Sequence, residues 1–334
     1  MKRSEIIAAL EIVRPGLSSK EIIDGSTSFA FVNGCVVTYN DEVSVSHPID
    51  GLDITGSIQA EEFYSLLKKL KNEEITIEVT ETEVLLKSGR VRAGMALHQE
   101  IKLPLEELGR PEKYKKLPEG FYKAMKFAMS ACSTNSSDGK MVCVHVNREG
   151  FVEGSDNFRV ANFTLPTKMP VDTFLIPATS VRELLKLEPE RIALGNGWVH
   201  FKTNGGTEIS CRVFEDTYPD TKPFLKVEGT KITLPKTIIQ VLDRASVFAK
   251  RDNSTEEFVT ITLDPKRSEI KSQSEAGWSK ERIDVVFEGD PIAIFITPSL
   301  LKDILGETQE CVYNERVLKF EGEGWVYIVA LRKQ

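Results

Sequence analysis

The side chains that could do covalent or metal chemistry are spread thinly along this chain. Four histidines, His47, His98, His145 and His200, lie about fifty residues apart, each inside or beside a strand-like run. Five cysteines, Cys35, Cys132, Cys143, Cys211 and Cys311, form no C-x-x-C pair. Metal centres need ligands at short, repeated spacings, so no metal site is expected. An odd number of cysteines in apolar contexts reads as buried free thiols in a reducing cytoplasm. No G-x-G-x-x-G opens a helix, and there is no P-loop, H-E-x-x-H or G-x-S-x-G. The dinucleotide, nucleotide, zinc-protease and serine-hydrolase chemistries that those motifs serve are not indicated. The stretch Ser133–Gly139 reads as a polar loop, and the acid pairs Glu61-Glu62 and Glu73-Glu74 face water by pattern. The expectation is a protein that is not an enzyme and has no catalytic residue, cofactor or metal.

What remains is positive charge at recurring places. Lysines and arginines fall on the polar sides of amphipathic helical stretches: Arg14 and Lys20; Lys68, Lys69 and Lys71; Lys123 and Lys126; Arg182 and Lys186; Lys236 and Arg244; and Lys302. By themselves these fit either solvated helix faces or surfaces that attract phosphate without regard to sequence. Taken alone, the net charge of −7 opposes a protein coated in nucleic acid. With a Debye length of about 8 Å at physiological salt, however, an acidic outer surface hardly cancels a basic inner one.

The elements that carry these cations repeat. A strand end, a short helix containing Leu-Leu-Lys, and a second strand occur three times, with the helix motif starting at Leu66, Leu184 and Leu300, 118 and 116 residues apart. Each copy opens with another helix marked by one apolar stripe. The stripes are Ile6, Leu10 and Val13; Phe121, Met125, Ala128 and Cys132; and Ile238, Leu242 and Ala245. Pro118 and Pro235 precede helices, and Gly16 and Gly306 are expected stops. Alternating runs such as Val43–Ser46, Val84–Lys87, Val142–Val146 and Thr260–Leu263 read as strands, punctuated by Asn33-Gly34, Ser88-Gly89 and Asn204-Gly205-Gly206. A short helix with one apolar stripe must lay it on a sheet. The predicted class is α+β: three repeated domains, 1–115, 116–228 and 229–334, each with two helices packed on antiparallel sheet. The seams fall near Tyr114–Pro118 and Val227–Lys231. Met1–Ile6 does not read as a signal peptide, and no apolar run approaches the ~18 residues of a membrane helix.

Several segments then resemble one family. Phe174-Leu175-Ile176-Pro177 leads into the second Leu-Leu-Lys helix, and Ile209–Asp220 looks like an arginine-containing strand followed by Tyr-Pro-Asp. Ser155–Ala161 is similar to the family's Thr-Asp-Gly-His-Arg-Leu-Ala, while Leu242–Phe248, Phe287-Glu288-Gly289 and Ser88-Gly89-Arg90 match elsewhere. In order and spacing the chain resembles the bacterial replicative sliding clamps, the beta subunits of DNA polymerase III, most densely in its second and third repeats. The resemblance implies a ring-forming DNA clamp fold and a head-to-tail homodimer that encircles duplex DNA. It implies a processivity factor that tethers the replicative DNA polymerase and the clamp loader through clamp-binding peptides, in the cytoplasm and with no membrane partner. The cations above would face DNA. A peptide pocket would take its walls from Ser155, Asn157, Phe158, Arg159, Val160, Pro219, Phe224, Leu300, Ile328, Ala330 and Leu331. The ring joint would use Ala93 and Met95 on one side, and Val247 and Phe248 on the other. Phe158 stands where the family often has His, and the tail Val329–Gln334 lacks the common methionine-proline ending, so partner preference is expected to differ. The alternative is a clamp-like monomeric scaffold that binds peptides but does not encircle DNA.

Overall fold

The computed structural model describes residues 1–251 and 257–333; Gln334, the last residue of the tail discussed above, lies outside the described residues. Contacts gather the described residues into two compact units. Unit 1 holds Met1–Tyr122, Asn147–Glu149 and Thr167–Asp216, and unit 2 holds Lys123–Val146, Gly150–Pro166 and the described residues from Thr217 onward. Among the described residues no helix is long and apolar enough to cross a membrane.

The helices are α1 (Arg3–Val13), α2 (Ala60–Lys69), α3 (Phe121–Ala131), α4 (Ala178–Leu187), α5 (Lys222–Leu225), α6 (Ile238–Ala249) and α7 (Pro298–Leu305). The apolar stripes decide their orientation. In α1, Ile6, Ala9, Leu10 and Val13 are buried; in α6, Ile238, Val241, Leu242, Ala245 and Ala249 are buried. At i, i+3, i+4 and i+7 these side chains share one helix face, which leaves the polar face to water. In α2, Glu61 and Glu62 in the first turn and Lys68 and Lys69 in the last suit the helix dipole. Pro298 opens α7, where a missing N–H costs nothing. The one-turn α5 was not expected from the sequence.

In unit 1 an antiparallel sheet runs in the order Gly56–Gln59, Ser28–Val32, Cys35–Tyr39, Val43–Pro48, Glu208–Arg212, Trp198–Lys202, Arg191–Gly195 and Lys115–Lys116. Helix α1 packs on Cys35–Tyr39 and Val43–Pro48 and against α2. Asn33 and Gly34, both at positive φ (52° and 72°), close the hairpin between Ser28–Val32 and Cys35–Tyr39. Phe174–Pro177 leads directly into α4. A separate three-stranded sheet comprises Thr76–Val79, Glu83–Ser88 and Val91–Ala96.

In unit 2 the strands run in the order Cys143–Val146, Phe151–Ser155, Arg159–Thr164, Trp325–Ala330, Val317–Gly322, Glu310–Tyr313 and Thr230–Thr233. A four-stranded sheet, Gly277–Ile283, Ser268–Ser274, Val259–Leu263 and Ile292–Ile296, carries α6 on its face, with α7 alongside. Gly154 lets α3 approach closely: a Cβ there would lie 1.9 Å from the Ala128 carbonyl oxygen.

Sheet pairing explains why the contact units do not follow the sequence repeat. The Ser28–Pro48 strands of the first repeat join Arg191–Arg212 of the second through Val43↔Cys211 and Val45↔Ile209. The Cys143–Thr164 strands of the second join Glu310–Ala330 of the third through Arg159↔Val329 and Ala161↔Tyr327. Hydrogen-bonded ladders thus join strands of successive repeats into one sheet. The class is α+β, as the sequence predicts.

Candidate docking surface and basic helix faces

Five of the predicted pocket residues come together in unit 2. Phe158, Arg159, Leu300, Ala330 and Leu331 line a cavity of about 1000 Å³ with Phe258, Phe295, Thr297, Ser299 and the segment from Ser133 to Asp138. Its geometry begins at a turn. Ser155 Oγ donates to the Arg159 carbonyl (2.8 Å), and Asn157 takes a left-handed φ of 71°. Asp156 Oδ1 accepts the Phe158 and Arg159 amides at 3.0 Å each. This Asx turn swings Phe158 outward, 47% exposed, while the Ala330 amide donates to the Phe158 carbonyl (2.7 Å).

Arg159 is the best-anchored charge in the site. Its Nε donates to Asp156 Oδ2 (2.8 Å), and its Nη1 donates to Asp303 Oδ2 (2.7 Å) and the Tyr327 hydroxyl (3.3 Å). Burial works against the guanidinium charge, but Tyr327 and Asp156 hold its pKa above the ordinary value. Burial likewise pushes the Tyr327 phenol up to about 12, so it stays neutral. The rest of the cavity is more apolar. The Phe258 and Phe295 rings lie 6.5 Å apart, and the Arg332 guanidinium sits 5.3 Å from the Phe258 centroid. An apolar wall with a few fixed polar groups suits an extended peptide with hydrophobic anchors.

The other six predicted pocket residues do not line this cavity. Ser155 and Asn157 shape the turn. Val160 pairs with Ile328, and alternation puts Ile328 and Ala330 on one face and Tyr327 and Val329 on the other. Pro219 is half-buried, and Phe224 stands 61% exposed on α5, which packs on Trp325–Ala330. The sequence reading missed Phe258 and Phe295, which look like ordinary strand residues in their runs. It also passed over Ser133–Asp138 as a plain loop. That segment is ordered by Asp138, which accepts from Ser133 Oγ (2.6 Å) and Asn135 Nδ2 (3.2 Å).

The predicted cations divide by their partners. Arg14, Arg182 and Lys186 line one open cleft of about 630 Å³ in unit 1, shared with Glu11, Glu42 and Glu183. The Arg14 guanidinium lies 4.6 Å from the Tyr64 ring centroid, and Lys123 Nζ lies 5.9 Å from that of Phe163. Lys68 pairs with Glu11 (3.4 Å), Lys186 with Glu183 (2.6 Å), Arg244 with Glu281 (2.5 Å) and Lys302 with Asp243 (2.5 Å). Lys69 ends α2, and Lys126 lies within α3. Three predicted helical positions need correction. Lys20 lies beyond the 3-10 turn Arg14–Gly16, which ends at Leu17 in extended backbone (ψ 138°). Lys71 follows Leu70, whose extended backbone (ψ 143°) ends α2. Lys236 precedes α6, in the turn that Pro235 opens.

Two sheet edges carry the predicted joint residues. Val91–Ala96 pairs only with Glu83–Ser88 among the described residues, and holds half-buried Ala93 and Met95. Gly277–Ile283 pairs only with Ser268–Ser274 among them. The Phe248 ring lies against Gly277; Val247 is 62% exposed, and Trp278, which the sequence reading missed, is 69% exposed.

No protein-family model matches this chain, and no curated protein matches it. Solved structures do match over its full length. The beta subunit of the Streptococcus pyogenes DNA polymerase superposes with a TM-score of 0.85 at 18% identity, covering 100% of this chain and 99% of that one. The Bacillus subtilis DNA polymerase sliding clamp gives 0.82 at 21%, covering 100% and 98%. The Pseudomonas aeruginosa DNA polymerase III beta subunit gives 0.83 at 17%, covering 100% and 99%. Together with the edges and cavity above, these likenesses establish that the chain has the fold of the DNA polymerase III beta-subunit sliding clamps.

Proposed function

We propose that this chain is a DNA sliding clamp: two copies close head to tail around duplex DNA and tether a replicative polymerase and a clamp loader through docked peptides. The observation that carries this reading is the sheet-pairing rule. Twice within the chain, a set of strands of one repeat is extended, antiparallel, by strands of the next repeat. The set Gly277–Ile283 to Ile292–Ile296 and the set Thr76–Val79 to Val91–Ala96 are left without such an extension. Pairing Gly277–Ile283 of one copy with Val91–Ala96 of another would extend both sets by the same rule and remove two bare edges. Each repeat would then be one clamp domain, at 1–115, 116–228 and 229–334.

In such a ring Arg14 of the 3-10 turn and the cations of α2, α3, α4, α6 and α7 attract phosphate weakly and without sequence preference, which lets DNA slide. The cavity at Phe158 and Arg159, with the neighbouring surface at Phe224, is the docking site. The chain acts in the cytoplasm and performs no catalysis. The test is loading onto a nicked circular duplex: a ring remains on the circle and slides off once the DNA is cut linear. Griselimycin is bound in a Pseudomonas aeruginosa sliding-clamp structure; we propose that it seats in the Phe158–Arg159 cavity of this chain, which makes it a titratable probe of docking. The monomeric scaffold is favoured by the ion pairs that occupy Lys68, Lys186, Arg244 and Lys302. It predicts retained griselimycin binding with no retention on circles.

A further inference from the structure

Glu153 is a charged residue in the middle of the strand Phe151–Ser155, and it is only 7% exposed. An isolated buried carboxylate is strongly disfavoured, so its partners show what holds it there. Three polar groups converge on it. His145 Nδ1 lies 2.9 Å from Oε2, Asn162 Nδ2 donates to Oε1 at 2.7 Å, and the Thr221 hydroxyl also donates to Oε1. His145 and Asn162 belong to the flanking strands of the same sheet. Thr221 does not. It lies 68 residues away, is buried, and is the residue from which α5 starts.

The same segment is held a second time, because the His145 ring stacks on Tyr218 (4.8 Å between centroids, 24° between planes). The Phe224 amide donates to the Thr221 carbonyl (3.0 Å), so the backbone that Thr221 fixes is the backbone that sets Phe224. Unit 1 has a related arrangement: Glu208, 8% exposed, lies 2.7 Å from Nε of Arg110, in the segment that ends the first repeat.

We propose that Glu153 is a positioning residue of the docking surface, acting through Thr221 to hold Thr217–Leu225 so that Phe224 stands as a fixed apolar anchor. The inference rests on the docking function proposed above. The carboxylate touches no ligand. Its effect is to remove the freedom of a one-turn helix that would otherwise have to be ordered when a partner binds. The network is also completed by a group from a segment distant in sequence, so it forms only when that segment is seated.

Two readouts on the full chain test it: hydrogen exchange of 217–225 followed by mass spectrometry, and titration with griselimycin. Thr221→Val is expected to speed exchange of 217–225 about tenfold, leave exchange of 259–283 unchanged, and weaken griselimycin about tenfold. Thr221→Ser restores both. Glu153→Gln, which keeps an acceptor for Thr221, stays within about twofold of the parent, whereas Glu153→Leu behaves like Thr221→Val. Unchanged exchange in Thr221→Val overturns the proposal. So does faster exchange with unaltered griselimycin affinity. If the parent chain fails to bind griselimycin, the docking function fails first and the proposal falls with it.

Discussion

Arg159 Nη1 donates to Asp303 Oδ2 across 2.7 Å, tying a strand of the second repeat to α7 of the third. The two ends of this bond differ in setting: Arg159 is 12% exposed in its side chain and Asp303 is 49% exposed. Asp303→Asn is therefore expected to cost at most about 1 kcal/mol, the usual worth of a half-solvated ion pair. Arg159→Ala leaves Asp156 and the Tyr327 hydroxyl without their buried donor, at a cost of about 2–3 kcal/mol. Urea denaturation of both variants measures the difference. Equal losses would mean that the Asp303 contact is the dominant bond.

The proposed ring joint gives a mass prediction. Phe248→Asp and Trp278→Asp each replace a large ring at the Gly277–Ile283 edge by a charge, and both are expected to sediment as single chains of 37.4 kDa. The parent chain is expected at twice that mass at micromolar concentration. A dimer that survives both substitutions would remove the assignment of this edge.

The ion pairs rank the cations of the helix faces. Arg14, Lys126 and Arg182 have no carboxylate within ion-pair distance among the described residues, whereas Lys186 and Lys302 have one at 2.6 Å and 2.5 Å. Replacing Arg14, Lys126 or Arg182 by Ala is expected to reduce the salt dependence of DNA binding by about one unit of log–log slope per cation. Lys186→Ala and Lys302→Ala are expected to change it less. Binding titrations over a series of salt concentrations give the slopes directly.

Acid sensitivity should centre on His200, which is fully buried with Nδ1 2.8 Å from Ser210 Oγ. Burial lowers its pKa below the usual 6.5, so the folded chain holds it neutral while the unfolded chain takes up a proton. The stabilisation is complete above pH 6.5 and is lost as pH falls from there toward the folded value, by at most ~1.4 kcal/mol per pH unit. Half-buried His47 is lowered by burial in the same direction. Denaturant midpoints measured from pH 7.5 to 5 should decline, and His200→Gln should flatten the decline.

Gly154→Ala tests the helix-on-sheet contact. The added methyl would meet the Ala128 carbonyl oxygen at 1.9 Å; the strand backbone fixes the methyl and α3 fixes the oxygen, so neither can rotate aside. A loss of about 2 kcal/mol or more is expected in thermal or urea unfolding. A neutral substitution would mean that α3 floats above the sheet.

The sequence alone carried the period of the chain and the faces of its helices. Leu66, Leu184 and Leu300 mark three copies, and the stripes Ile6–Leu10–Val13 and Ile238–Leu242–Ala245 are buried as their spacing requires, because burial of an apolar stripe is a local rule that three or four residues express. The hairpin at Asn33-Gly34 was equally legible, since few residues other than glycine and asparagine take positive φ readily. The tertiary structure decided what depends on distant partners. Arg159 meets Asp303 across 144 residues and Thr221 meets Glu153 across 68. Phe258, which precedes the strand Val259–Leu263, and Phe295 became cavity walls only through the pairing of that strand with Ile292–Ile296. The helix ends that placed Lys20, Lys71 and Lys236 outside the helices were set by backbone turns at Leu17, Leu70 and Pro235, none of which a hydrophobic period records. A strand's period says which face is buried but not which strand lies beside it; pairing is fixed by hydrogen bonds between segments far apart in the chain, and those bonds made the cavity, the clasp at Thr221 and the two open edges.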